Sequence, residues 1–246
     1  MPHSKRFNIM GSVLKTKPDS CTKHKLERQS DYMTNKIKDN FLNIKKITDR
    51  YNAKIIAVSK YYAADKMVEA YEAGIRNFGE SKLPDAVKKI NGLDDKMNSD
   101  CSYHLIGHLQ TNKVKWAAGF FKLIHSVDSI RLADEISKKA LELGVKQKIL
   151  IQVNNSGEEQ KSGIAPSQLE NVMKAVSLMK GIAVKGFMNI APLTDDTKLI
   201  NELFSEMHKL KEIYGLEELS MGMSNDFKIA LDNGATIVRL GRILFE

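Results

Sequence analysis

A closed (β/α)8 barrel is the fold class this sequence predicts, and three observations carry it. Eight short runs of β-branched and apolar residues recur along the chain, helical segments separate them, and the 246-residue length suits one such domain. Strands separated by helices imply parallel βαβ units. An open doubly wound sheet is the alternative architecture, and eight repeats favour closure.

A helix over 30–51 comes first, with Ile37, Phe41, Ile44, Ile47 and Tyr51 at helical spacing. The strand over 54–60 is apolar without alternation, the mark of burial on both faces. Met67, Val68, Ala70 and Tyr71 mark the next helix, and Gly74 closes it. Three strands follow, over Ile75–Ser81, Tyr103–Leu109 and Lys122–Val127. Asp128 or Ser129 caps a helix whose face is Leu132, Ile136, Ala140 and Leu143, ended by Gly144. Lys148–Asn155 is the fifth strand. Pro166 opens a helix lined by Leu169, Val172, Met173 and Val176 and closed by Gly181. The sixth strand is Val184–Ile190, and a long helix follows with Leu199, Leu203, Met207 and Leu210 inward. Glu218–Ser224 and Thr236–Phe245 complete the set of eight strands. The sequence leaves no outer helix after the eighth, so the helix at 30–51 is expected to fill that place. Residues 29–246 read as one domain.

Residues 1–28 stand apart: they hold Lys5, Arg6, Lys15 and Lys17, and no acidic residue before Asp19. They read as a disordered basic extension, with a mitochondrial-type targeting segment as the alternative. The formal charge of +8 admits an anionic partner. The lysines are spread over most helices with no aromatic-interleaved stripe, so a phosphorylated small molecule accounts for the excess and nucleic acid is not expected. Cys21 and Cys101 are far apart, which points away from a disulfide framework or zinc site and toward a reducing, cytoplasmic setting. No apolar stretch is long enough to span a membrane.

In such a barrel the chemistry sits at the C-terminal ends of the strands. Lys60, Glu80, Ser81, Gly107, His108, Asn154, Asn189, Met223, Ser224, Gly241 and Arg242 all fall there. A lysine at the mouth of a buried strand has its ammonium near low-dielectric walls, which lowers its pKa and makes it a usable amine nucleophile. The loops after the last two strands carry Gly222, Ser224 and Gly241, and a helix is expected to start near Asn225. Glycine backbone, a hydroxyl and a helix N-terminus suit a phosphate. Lys60 opposite phosphate-type loops suggests a phosphorylated aldehyde held as a Schiff base, and pyridoxal phosphate is the common one. Met221 and Met223 are placed to wall such a cofactor. His104 and His108 are too far apart along one strand to share a metal ion. The Asp94-Asp95 and Asp195-Asp196 pairs read as turns and caps.

The segments Ala57-Val58-Ser59-Lys60, Phe78-Gly79-Glu80 and His104-Leu105-Ile106-Gly107-His108-Leu109-Gln110-Thr111-Asn112-Lys113 resemble the pyridoxal-phosphate homeostasis proteins. So do His125-Ser126-Val127-Asp128, Ile151-Gln152-Val153-Asn154, Lys161-Ser162-Gly163, Leu219-Ser220-Met221-Gly222-Met223-Ser224 and Val238-Arg239-Leu240-Gly241, in family order over roughly 54–245. The resemblance implies an alanine-racemase-type barrel without a second domain, the type III fold of pyridoxal-phosphate proteins. It implies that Lys60 forms the Schiff base, and that Ser224 and the backbone around Gly241 and Arg242 hold the phosphate. Ser81, Asn154 and Met223 are further cofactor-binding positions. It also implies that Arg239 faces the pyridine nitrogen. An arginine there leaves that nitrogen unprotonated, a weaker electron sink than one paired with a carboxylate. Two positions depart from the family pattern. Ser81 replaces an asparagine, and Arg242 replaces a threonine or serine hydroxyl that would meet the phosphate. The implied function is storage, buffering or delivery of vitamin B6 cofactor to apo-enzymes by a monomer or weak dimer. An amino-acid racemase is the alternative; it would need an acid/base group on each face of the substrate, and Lys60 supplies one.

Overall fold

The computed structural model describes residues 36–158 and 160–246, so the extension over 1–28 lies outside the described residues. Eight parallel strands close into a barrel in sequence order: β1 (Lys54–Val58), β2 (Asn77–Glu80), β3 (Ser102–Leu105), β4 (Leu123–Val127), β5 (Gln147–Gln152), β6 (Ile182–Met188), β7 (Glu218–Ser220) and β8 (Ile237–Leu240). Closure is made by β1 on β8, with Ile56 opposite Arg239.

Helix α1 covers 36–48 and buries Ile37 and Ile44. Helices α2 (Ala64–Glu72), α3 (Asp85–Asn91), α4 (Asp95–Asp100), α5 (Val114–Ala117), α6 (Ile130–Glu142), α7 (Leu169–Ser177), α8 (Thr197–Ile213) and α9 (Phe227–Asp232) connect the strands. A last short helix, α10 (Arg242–Phe245), follows β8. Helix α1 occupies the eighth outer position: Asn40 Nδ2 donates to Leu244 O at 3.3 Å on one side, and Phe41 packs beside Gly74 on the other.

The caps fall where the short polar residues predict. Ser129 accepts the Leu132 N–H at the start of α6, Asp94 accepts that of Met97, and Asp196 those of Lys198 and Leu199. Asp128 is not a cap; it pairs with His108.

Side chains alternate in and out along the strands. Ile56, Leu123, Leu150, Met188 and Ile237 form a small cluster of their own, while Ala57, Ile124, Ile149, Ile151, Phe187 and Val238 belong to the larger cluster beneath the helices.

Most strands end earlier than the apolar runs predict. The run to Leu109 pairs only to Leu105, that to Ser224 only to Ser220, and that to Phe245 only to Leu240, beyond which α10 begins. Burial, not pairing, carries the apolar pattern onward. Leu109, Val153, Met221, Leu244 and Phe245 lie past their strands and are still buried, packed in the main core cluster. Helix faces differ in a few places for a related reason. Helix α8 turns Ile200, Leu203, Phe204 and Met207 inward and leaves Leu199 exposed, and Tyr51 and Leu143, just past their helices, are exposed. Helix α7 ends at Ser177, short of Gly181, whose N–H is taken by Ser137 Oγ at 3.0 Å.

Candidate functional site

A cavity of about 660 Å³ opens at the C-terminal end of the barrel, and a lobe of about 280 Å³ adjoins it. Val58, Lys60, Met223 and Arg239 line both. Ser81 and Asn154 line the smaller lobe, whereas Ser224, Gly241 and Arg242 line the larger. The mouth therefore brings together Lys60, Ser81, Asn154, Met223, Ser224, Arg239, Gly241 and Arg242, whereas Met221, expected to wall a cofactor, is fully buried and lines neither cavity.

Lys60 stands just past β1, half-buried, on a turn closed by Tyr62 N donating to Ser59 O at 3.0 Å. Its ammonium lies 4.8 Å from the Tyr61 ring centroid, and among the described residues no carboxylate pairs with it. The turn itself is clamped. Lys89 Nζ donates to Ser59 O and Tyr62 O, each at 3.0 Å, and pairs with Glu80 Oε1 at 2.6 Å. Glu80, buried at the end of β2, also accepts the Ser59 hydroxyl at 2.6 Å. Lys89 escapes a reading by motif. Its one signal is position: it falls three residues after Ala86 on the side of α3 that Ala86 and Ile90 bury.

Ser81 is pressed by the loop after β3. A Cβ on Gly107 would lie 2.5 Å from Ser81 Cβ, so only glycine allows that approach. Asn154 turns its amide group toward its own loop, donating to Glu158 O at 2.9 Å and Lys161 O at 3.2 Å. It shapes the wall of the lobe through that loop.

The loop after β7 has Gly222 at φ +87°, where an added Cβ would meet Ala230 Cβ at 2.6 Å. Asp226 Oδ1 takes the Met223 N–H at 2.5 Å. Among the described residues, nothing accepts from the N–H groups of Ser224, Asn225, Gly241 or Arg242. These groups suit an anion. Helix α9, expected to start near Asn225, begins at Phe227 and is six residues long. Arg242 is exposed at the rim.

Arg239 is buried in the wall shared by the cavity and its lobe. NH1 donates to Ser220 O and Ser220 Oγ, both at 2.8 Å, and NH2 to Asn189 O at 2.7 Å. Burial lowers its pKa to about 10, partly offset by Asp226, so the guanidinium stays charged near neutrality. Burial in turn pushes the Asp226 carboxyl up. His104 and His108 diverge: His104 meets His125 within the barrel, and His108 meets Asp128 at 3.2 Å near the surface.

A parallel barrel with a strand-one lysine facing open N–H groups after the last two strands defines a class. The family model for the alanine racemase N-terminal domain matches residues 33–246. Within that class the chain belongs to the pyridoxal phosphate homeostasis protein family. It is 38% identical over 199 residues to the member from Aquifex aeolicus, covering 78% of this chain and 86% of that one. The member from Schizosaccharomyces pombe is 34% identical over 202 residues, covering 79% and 84%. PipY of Synechococcus elongatus, solved with PLP bound, superposes with a TM-score of 0.75 at 33% identity, over 85% of this chain and 100% of that one. An alanine racemase from Clostridium difficile shares the fold, with a TM-score of 0.69 at 16% identity.

Proposed function

We propose that this protein binds pyridoxal 5'-phosphate through Lys60 and serves intracellular vitamin B6 homeostasis as a carrier, buffering the cofactor or delivering it to apo-enzymes. One observation supports this most strongly: Lys60 and the open N–H groups of Ser224, Asn225, Gly241 and Arg242 line one cavity of about 660 Å³. The residues present fit the cofactor. The loop N–H groups and the Ser224 hydroxyl would hold its phosphate, Met223 would wall its ring, and the Arg239 guanidinium would serve its ring nitrogen. Ser81 and Asn154 border the lobe alongside. When bound, pyridoxal phosphate supplies an aldehyde that takes up amines. Lys60 is the amine that retains it covalently. The relatives named for pyridoxal phosphate homeostasis and the PipY structure with PLP bound support the same reading.

A carrier fits the cavity better than a racemase. Racemisation needs a second acid/base group across the substrate from the lysine. The tyrosines lining the cavity, Tyr61 and Tyr62, follow Lys60 on its own turn. Arg239 also disfavours deep electron withdrawal, since it cannot protonate the ring nitrogen. Among the described residues no helix is long and apolar enough to cross a membrane. The cytoplasm and the monomer or weak dimer of the sequence reading are part of this proposal.

Borohydride treatment of the protein loaded with pyridoxal phosphate, followed by peptide mapping, tests the assignment. The pyridoxyl mass should fall on the peptide bearing Lys60. Recovery on another lysine would overturn it, and so would equal affinity for pyridoxal and pyridoxal phosphate.

A further inference from the structure

Four inward-facing side chains from different strands form one hydrogen-bonded line through the barrel: His104 of β3, His125 of β4, Ser220 of β7 and Arg239 of β8. His104 Nδ1 lies 3.1 Å from His125 Nε2, His125 Nδ1 lies 2.9 Å from Ser220 Oγ, and Arg239 NH1 lies 2.8 Å from that same oxygen. All four are buried.

The chemistry of each group fixes where the protons sit. A guanidinium only donates, so Ser220 Oγ accepts from Arg239. The hydroxyl hydrogen of Ser220 then needs an acceptor, and His125 Nδ1 is the one within reach. With Nδ1 bare, a neutral His125 carries its proton on Nε2 and donates to His104 Nδ1. His104 in turn carries its proton on Nε2, which is buried and without a partner among the described residues. The opposite polarity would strand the Ser220 hydrogen and also leave His104 Nε2 a bare acceptor. That is two unsatisfied buried groups against one, so the first polarity wins. Burial favours the neutral form of both rings.

We propose that this one-way relay makes His125 a positioning residue for Arg239. His125 Nδ1 takes the Ser220 hydrogen and thereby turns an oxygen lone pair to the guanidinium. Ser220 and Asn189 O thus fix the guanidinium of Arg239, which lines both the cavity and its lobe. The inference rests on the preceding reading only in that Arg239 meets the cofactor; the tautomers do not depend on it.

The first test uses the cofactor-free full chain labelled with 15N-histidine. Long-range 1H–15N spectra near neutral pH should show His104 and His125 neutral and protonated on Nε2. A proton on Nδ1 of His125, or a charged ring, would overturn the relay. The second compares His125→Asn, whose side-chain oxygen can replace Nδ1 as acceptor, with His125→Leu, which offers none. His125→Leu should shift the absorption band of bound pyridoxal phosphate and weaken its affinity about tenfold, as loss of one buried hydrogen-bond partner implies. His125→Asn should stay close to wild type in both. The same result for both variants, unchanged or equally damaged, would refute positioning. Wild-type protein that shows the assigned tautomers yet takes up no pyridoxal phosphate would overturn the reading of the cavity while supporting the relay.

Discussion

The ammonium of Lys89 lies 2.6 Å from Glu80 Oε1 directly behind the turn that presents Lys60. Because that ammonium also donates to Ser59 O and Tyr62 O, one ion pair grips both ends of the turn. The pair is well sheltered, with Glu80 only 3% and Lys89 18% exposed. A lysine used for covalent capture needs a fixed base for its flexible stem, and this clamp supplies one.

Lys89→Met should therefore be costly in two ways. It leaves the Glu80 carboxylate buried without its cation, which destabilises by about 3 kcal/mol. It also frees the turn, so capture of pyridoxal phosphate by Lys60 should slow. Urea unfolding measures the first effect and the growth of the cofactor absorption band the second. Combining Lys89→Met with Glu80→Gln removes the stranded charge and should restore part of the stability. An unchanged unfolding midpoint for Lys89→Met would show that the clamp contributes nothing.

Gly222→Ala probes the other side of the cavity. Residue 222 sits at φ +87°, and a methyl there would lie 2.6 Å from Ala230 Cβ and 3.0 Å from Phe227 Cα. Neither neighbour can swing away, so the loop must shift at a cost of about 1–3 kcal/mol. That shift displaces the N–H groups of Ser224 and Asn225 that line the cavity. The preference for pyridoxal phosphate over pyridoxal should then shrink about tenfold, each factor of ten being 1.4 kcal/mol. Titrating both ligands into both proteins measures it; an unaltered ratio would place the phosphate elsewhere.

The barrel was legible in the sequence because burial imposes a period that survives without any knowledge of contacts. The runs around Ile55, Ile124 and Ile151 are continuous apolar segments since both faces of each strand are covered, and the helices between them announce parallel pairing. Lys60, Met223, Ser224 and Gly241 were legible as positions at strand ends, a consequence of topology alone. Strand ends were overextended because Met221, in the segment after β7, and Phe245, in α10, stay apolar as members of the core beyond the last paired residues. The Lys89 clamp and the His104–His125–Ser220 line stayed hidden for a different reason. Each depends on hydrogen bonds between separate elements, Lys89 to Tyr62 and His104 to His125 among them, that leave no periodic trace in the chain.

Arg242 is exposed at the rim, and that exposure decides what to expect of it. An exposed charge near a ligand contributes under about 1 kcal/mol. Arg242→Ala should accordingly weaken pyridoxal phosphate by less than about fivefold. Its backbone N–H, which the substitution leaves in place, remains available to the phosphate. A loss above about tenfold on titration would show that the guanidinium itself reaches the ligand.

Acid should weaken the fold through the buried histidines. Burial first, then Lys54, pushes the pKa of His104 down from 6.5 to about 4, and burial with neighbouring His104 lowers that of His125 as well. For a base depressed in this way, the unfolded chain takes up its proton first as pH falls. Stability is therefore unaffected above about pH 6.5, declines between there and about pH 4, and loses about 3 kcal/mol through His104 over that window. Glu218, which favours the charged form of His104, moderates the loss, while Lys122 adds to it. Ordinary carboxylates contribute mainly toward the lower end. The carboxyl of Asp226, pushed up by burial, opposes the loss as pH falls, so the histidine's share is read from the difference between wild type and a variant. His104→Asn keeps an oxygen to accept from His125 Nε2 and cannot titrate. Unfolding free energies measured across that window should fall less steeply for the variant than for wild type. Equal slopes would mean that His104 is not held neutral in the folded barrel.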